Sequence, residues 1–264
     1  MLATAQNAAL WLLLPLARVH RRSHVVSTHG AAAGAGPRPR ATAQYHADGV
    51  ALLSTFLAPA DFAAVVADCR SLRSKLKAEA GSIAIGRLGH IIDRKSTPKA
   101  FAALTATAVA ERLNSVAGLS APLGLSDYPI EFRLYRSGSG MDWHQDDQLF
   151  DEPQCEIVLT LENTSDSHTE WIDAAGKLHS TWMAPNSALL VRAGETGARH
   201  RVEHLRHGER AIVKMVFANP AAERLPRFWA HLDSFPGLRD KQRPSRQRVA
   251  GRVARAAHKR GRRR

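Results

Sequence analysis

From Ile130 onward the chain breaks into six short runs rich in Val, Ile and Leu: IEFRLYR (130–136), CEIVLTLEN (155–163), EWID (170–173), SALLVRA (187–193), HRVEHL (200–205) and AIVKMVFA (211–218). Turn-forming residues separate them, and this spacing predicts the strands of an all-β sandwich or barrel. Two segments ahead of them carry helical periodicity instead. In PADFAAVVADCRSLRSKLKAE (59–79), Phe62, Val65, Val66 and Cys69 share one face, and Leu72 and Leu76 continue it. Pro59 suits the first turn of that helix. PKAFAALTATAVAERLNSVAGL (98–119) predicts a second amphipathic helix, stopped by Gly118. GVALLSTFL (49–57) reads as a short strand and SIAIGRLGHIIDRKS (82–96) as strand and loop. The predicted fold class is mostly β with flanking helices, the helices packed on an antiparallel double sheet.

The charge of this chain misleads unless it is mapped. Its formal net charge is +13, yet residues 1–47 hold five arginines and no acid, and residues 239–264 hold twelve Lys or Arg against one Asp. That leaves 48–238 at −3, a mildly acidic domain between two basic ends, so the domain itself shows no push toward nucleic acid. The C-terminal 239–264 segment lacks large apolar residues and reads as a disordered basic tail. It is a solubility or sorting tail, or a non-specific polyanion binder acting through counterion release. It has no interleaved aromatics for base stacking. The first 47 residues are rich in Arg and Ala, which matches an organelle transit peptide for mitochondrion or plastid. A secretory segment and an unprocessed cytoplasmic tail are the alternatives. Their apolar run from Ala8 to Ala17 is about half the roughly 20 residues of a membrane span. Cys69 and Cys155 lack any CxxC spacing and read as buried free thiols.

Residues 142–147 read DWHQDD. In extended backbone, residues i and i+2 project from the same face, so His144 and Asp146 present an imidazole and a carboxylate together. Asp147 has the opposite parity. A divalent metal needs a further ligand from elsewhere, and ARHRVEHLRHGERAIVKMVF offers His200, His204 and His207. Two histidines and one carboxylate, leaving open positions, are the ligand set of non-haem Fe(II) oxygenases.

From His200 the pattern runs H-x-V-x-x-L-x-x-G-x-R, through Val202, Leu205 and Gly208 to Arg210. It closely resembles the second half of the signature of 2-oxoglutarate- and Fe(II)-dependent dioxygenases, in their prolyl 4-hydroxylase-like branch. FRLYRSGSGMDWHQDD resembles the first half, and LLSTFLAPADFAAVVADC the family's opening strand and helix. The resemblance covers about residues 49–220. It implies a double-stranded β-helix (jelly-roll, cupin-like) core over 130–220, inside a domain of residues 48–222 followed by a short extension, 223–238. It also implies that His144, Asp146 and His200 bind iron, and that Arg210 binds the far carboxylate of 2-oxoglutarate, which Tyr135 also hydrogen-bonds. A guanidinium suits that task because it stays charged when buried and grips a carboxylate with parallel hydrogen bonds. The implied chemistry consumes O₂ and 2-oxoglutarate, hydroxylates a C–H bond, releases succinate and CO₂, and draws on L-ascorbate. Substrates of this class are a peptidyl proline, another side chain, or a small metabolite. On this pattern Asp142, His204 and His207 are ordinary polar residues.

This chain departs from the family in SDSHTEWIDAAGKL, which lacks the common Gly-Gly, and at Val216, where the nucleic-acid demethylase branch carries a second arginine. Lys214 shares the strand parity of Arg210, which makes it a second positive charge beside the cosubstrate or a lysine at the barrel mouth. The rival reading of the whole chain is a non-catalytic β-scaffold that binds RNA or an acidic surface through its basic ends.

Overall fold

The two longest strands are Gln154–Asn163 and Glu209–Ala218, ten residues each and paired along their length. The computed structural model describes residues 39–79, 83–119 and 121–232. In chain order these form α1 (Pro39–Asp48), β1 (Val50–Leu53), α2 (Pro59–Ser71), a short 3₁₀ turn (Arg73–Lys75), β2 (Lys77–Ala78), β3 (Ala84–Ile85), β4 (Leu88–Ile92), α3 (Pro98–Leu104), α4 (Thr107–Ala117) and β5 (Gly124–Leu125). There follow β6 (Ile130–Arg136), β7 (Gly140–His144), β8 (Gln154–Asn163), β9 (Thr169–Ile172), β10 (Leu178–Thr181), β11 (Ala188–Arg192), β12 (His200–Val202), β13 (Glu209–Ala218) and α5 (Pro226–Leu232).

All strand pairs are antiparallel. The larger sheet runs β1-β11-β8-β13-β6-β4-β2, with β5 also on β13, and the smaller runs β10-β9-β12-β7-β3. Alternation along each strand gives the larger sheet two different faces. Phe132, Leu134, Ile157, Leu159, Val213 and Met215 face the helices, packing against Val65, Cys69, Leu72, Leu104, Leu113 and Val116. Each such side chain contributes about 1.5–3 kcal/mol by leaving water. The opposite parity, Glu131, Arg133 and Tyr135 on β6, Glu156, Val158 and Thr160 on β8, and Arg210, Ile212 and Lys214 on β13, faces the smaller sheet. The mostly-β architecture with helices on the major sheet is as expected.

Several boundaries differ. The domain begins before residue 48: α1 packs Tyr45, 1% exposed, into the helix-side core, although the acid-free Arg/Ala/Pro composition around it reads as leader. The rest of the expected targeting segment, residues 1–38, lies outside the described residues, as do the basic tail 239–264 and residues 233–238. The single helix expected over 98–119 is two. Thr105 closes α3 by donating its hydroxyl to Phe101 O at 2.8 Å, and Ala106 turns extended (ψ 141°) to start α4. Gly118 ends α4 in the left-handed region, as predicted. The helix expected over 59–79 stops at Ser71, and its tail becomes the 3₁₀ turn and β2. Strands β7 and β10 are too polar to have announced themselves. No helix among the described residues is long and apolar enough to cross a membrane.

Gly208, just before β13, has φ +76°, and a Cβ there would lie 2.4 Å from the Thr164 carbonyl oxygen. Backbone cannot yield as a side-chain end can. Gly208→Ala therefore destabilises by about 2 kcal/mol or more, a melting-temperature loss on the order of 4–8 °C. Gly176→Ala, at a similar φ with nothing within 4 Å, is the matched control and loses less. Equal losses in thermal melts would remove the contact from the explanation.

Candidate metal centre

The smaller sheet brings the two histidines face to face. His144 ends β7, His200 begins β12, and the two are direct partners across the pair, with ring centroids 4.2 Å apart. Each ring donates Nδ1–H to a backbone carbonyl two residues earlier, His144 to Asp142 O at 2.9 Å and His200 to Ala198 O at 3.0 Å. These bonds fix the tautomer and leave both Nε2 lone pairs free, which is the form a metal requires. Asp146 follows β7 in irregular backbone. Its carboxylate oxygens lie 3.8 Å from His144 Nε2 and 3.5 Å from His200 Nε2. One ligand atom from each residue falls within 4.8 Å of the others. Neighbouring donors on a metal with bonds of roughly 2.1 Å stand about 3 Å apart, so these residues fit one divalent ion.

The loop carrying Asp146 is tied down from several sides. Gly194 N donates to Asp146 O at 2.9 Å, and Gln145 Nε2 to Gly197 O at 2.7 Å. Asp147 turns away from the histidines and pairs with Arg227 and His231 on α5. Leu149 and Phe150 pack with Tyr128, Phe228 and Leu232. His204 and His207 sit elsewhere, beside Asp142 and Asp166 at 3.6 and 3.5 Å. An open pocket lined by Asp142, Asp166, Arg201, Glu203, His204 and Arg206 touches none of the three ligand side chains.

Lys214 faces inward with Arg210, as its parity predicts, but its ammonium serves the ligand carboxylate. Nζ lies 3.6 Å from Asp146 Oδ1 and forms an ion pair with the buried Glu156. Burial and the adjacent Asp146 push the Glu156 carboxyl up, and the Lys214 ammonium opposes them. Burial alone would raise Asp146 too, but Lys214 and the two imidazoles outweigh it and hold this carboxyl below the usual range. Sequence reasoning missed Glu156; its one signal is an acid that shares the inward parity of Val158 and Thr160 on β8.

Arg210 is different. It is 1% exposed, and Nε and Nη1 find no hydrogen-bond partner among the described residues. Burial lowers its guanidinium to about 10, with Tyr135 opposing that shift. Tyr135 is its direct partner across β6–β13, and the tyrosine hydroxyl accepts from Arg87 Nη1 at 3.0 Å. Thr160, opposite Ile212 on β8, is fully buried, and its hydroxyl also lacks a partner. A buried cation without a counter-charge is strongly unfavourable, so this recess suits an anion. The far carboxylate of 2-oxoglutarate fits the donor set: guanidinium N–H groups plus two hydroxyls.

Burial, then the neighbouring His200, lowers His144 to about 4. An unfolded chain protonates this ring near 6.5. The neutral ring therefore contributes its full stability above about 6.5 and loses it as pH falls toward about 4. The metal-free protein is expected to melt progressively lower across that window, and His144→Gln flattens the slope. An unchanged slope would assign the acid sensitivity to other groups.

No family model and no curated protein matches this sequence. Solved structures do. A prolyl-4-hydroxylase from Pseudomonas putida is 21% identical with a TM-score of 0.54, over 69% of this chain and 98% of its own. An oxidoreductase of the 2OG-Fe(II) oxygenase family from Burkholderia pseudomallei is 13% identical with a TM-score of 0.58, over 72% and 95%. An α-ketoglutarate-dependent epimerase of nogalamycin biosynthesis is 16% identical with a TM-score of 0.59, over 75% and 89%. At these identities the likeness is one of fold, and this chain has the jelly-roll fold of 2-oxoglutarate- and Fe(II)-dependent oxygenases, prolyl 4-hydroxylases included.

Proposed function

We propose that this chain is an Fe(II)- and 2-oxoglutarate-dependent dioxygenase that hydroxylates a C–H bond and releases succinate and CO₂. The observation that carries the reading is Arg210, a buried, unpaired guanidinium on the same inner face of β13 as Lys214, which touches the Asp146 carboxylate. An iron ligand set alone has many uses; one accompanied by an empty-handed buried arginine is equipped for a dicarboxylate cosubstrate.

His144, Asp146 and His200 would hold the iron, which when bound supplies O₂ activation and C–H oxidation. Arg210, with the hydroxyls of Thr160 and Tyr135, would grip the far end of 2-oxoglutarate and so set the reach of its keto-acid end. Val202, Leu205, Ile212 and Tyr135 form an apolar cluster between the sheets and keep water from that recess. Lys214 and Glu156 orient Asp146, so the ligand from the irregular loop is held as firmly as those from strands. The substrate is a peptidyl proline, another side chain or a small metabolite. L-Ascorbate would keep the iron ferrous, and the N-terminal segment would direct the protein to an organelle.

Purified protein given Fe(II), 2-oxoglutarate, ascorbate and O₂, with no substrate added, should release succinate slowly, in an amount that depends on iron. Iron-loaded, folded protein that forms no succinate and develops no visible charge-transfer band with 2-oxoglutarate under anaerobic conditions would overturn the reading.

A further inference from the structure

A chain of paired charges runs from Arg87 and Glu79 to the inner face of β6 and ends on Glu131; Glu79 Oε1 and Glu131 Oε1 both lack a hydrogen-bond partner, but Glu79 Oε1 has Arg133 nearby. Arg87 donates Nε and Nη2 to Glu79 Oε2 at 2.9 and 2.5 Å. Arg133 Nε lies 3.5 Å from Glu79 Oε1. Arg133 then donates both Nε and Nη2, at 2.9 and 2.5 Å, to a single oxygen of Glu131, Oε2. A guanidinium usually spreads its fork over both carboxylate oxygens. Here Glu131 Oε1 is left buried with no hydrogen-bond partner, on a residue 2% exposed. Glu131 is also the direct cross-strand partner of Lys214, whose ammonium lies 3.6 Å from the Asp146 carboxylate. The unused oxygen therefore belongs to a residue one strand away from Lys214, on the face of the larger sheet that looks toward the smaller sheet and its ligands.

We infer that Glu131 Oε1 is the polar anchor for the substrate, and that it takes a neutral hydrogen-bond donor, an amide N–H or hydroxyl, near the C–H to be oxidised. This deepens the proposed dioxygenase reading and rests on it. A buried carboxylate oxygen is an acceptor only, so the group it receives must donate. Neutrality follows from the charges around it. Glu131 is matched by Arg133, Glu79 by Arg87, and Glu156 by Lys214. A metal would take the Asp146 charge, and a dicarboxylate would take that of Arg210. With every charge matched, a cationic amine would enter a low-dielectric space with no counter-ion, and an anion would meet Glu131 itself. A neutral donor satisfies Oε1 and leaves the balance intact.

The test uses the full chain, anaerobic, loaded with Fe(II) and 2-oxoglutarate, with the visible charge-transfer band as reporter. Three small probes are titrated: acetamide, a neutral donor; N,N-dimethylacetamide, of similar shape without a donor; and methylammonium, a cationic donor. Acetamide is expected to perturb the band at a concentration at least about tenfold lower than either other probe. Glu131→Gln should shrink that preference below about threefold while the band itself, and so iron and cosubstrate binding, is unchanged. Equal responses to the three probes, a preference for methylammonium, or a preference that survives Glu131→Gln would each overturn the inference, leaving a buried water as the occupant. If Glu131→Gln does not fold, the ranking of probes on the wild-type chain decides alone. Absence of the band in wild type would instead sink the dioxygenase reading, and the substrate anchor with it.

Discussion

Asp146→Ala should abolish stoichiometric iron binding and all succinate formation, while Asp147→Ala should keep both within about tenfold of wild type. The two residues are adjacent and chemically identical, so composition cannot separate them. Geometry does. The Asp146 carboxylate stands between two imidazole Nε2 atoms at 3.8 and 3.5 Å, whereas that of Asp147 is spent on Arg227 and His231 of α5. Losing an outer partner of a metal ligand typically weakens metal binding 10–100-fold; losing a ligand of a three-residue site removes more. Asp146→Ala also leaves Lys214 and Glu156 paired, so the fold survives and the loss is read as chemistry. Asp147→Ala removes two partly exposed ion pairs, each worth about 0–1 kcal/mol. Iron content by metal analysis and succinate by mass spectrometry decide the matter. If Asp147→Ala lost the metal and Asp146→Ala kept it, the ligand assignment would pass to Asp147 and the parity argument would fail with it.

The sequence makes some of the site legible. The two-residue period of extended backbone pairs His144 with Asp146, even though Asp146 itself lies in irregular backbone past β7. The choice of His200 over His204 and His207, and the task of Arg210, come from the resemblance of H-x-V-x-x-L-x-x-G-x-R to a family signature. Glu131 and Glu156 were not legible, because a glutamate in a strand ordinarily faces water. Only the pairing of β6, β13 and β8 shows that both lie on a covered face beside Lys214. The same holds for Lys214: its direction followed from parity, but its partners come from a loop and a strand distant in sequence. Helix α1 was hidden for another reason. Its sequence, PRATAQYHAD, is polar, and only Ala41 and Tyr45, one turn apart, anchor it, in place of a long apolar stripe. The break between α3 and α4 turns on a single threonine hydroxyl that competes for a helix carbonyl.

Arg210→Met should separate stability from function in opposite directions. Arg210 is fully buried, its Nε and Nη1 have no hydrogen-bond partner, and no carboxylate forms an ion pair with it among the described residues. In the cosubstrate-free protein such a group is a liability, and replacing it by an apolar side chain of similar length removes an uncompensated charge. Exchanges of buried ionic groups for packed apolar ones have proved neutral or stabilising by about 1–4 kcal/mol. The variant is therefore expected to melt several degrees higher than wild type without 2-oxoglutarate. In its presence the order changes. Wild type gains the charge-assisted bonds between guanidinium and carboxylate, and loss of one partner of a buried ion pair costs about 3–5 kcal/mol. The 2-oxoglutarate concentration for half-saturation should rise by roughly 10²–10⁴-fold, with iron binding unchanged because no metal ligand is touched. An arginine kept only for packing would behave otherwise: its replacement would lower the melting temperature and leave the cosubstrate requirement alone. Stability gained together with affinity lost is the mark of a residue held in an unfavourable state for a ligand that has yet to arrive.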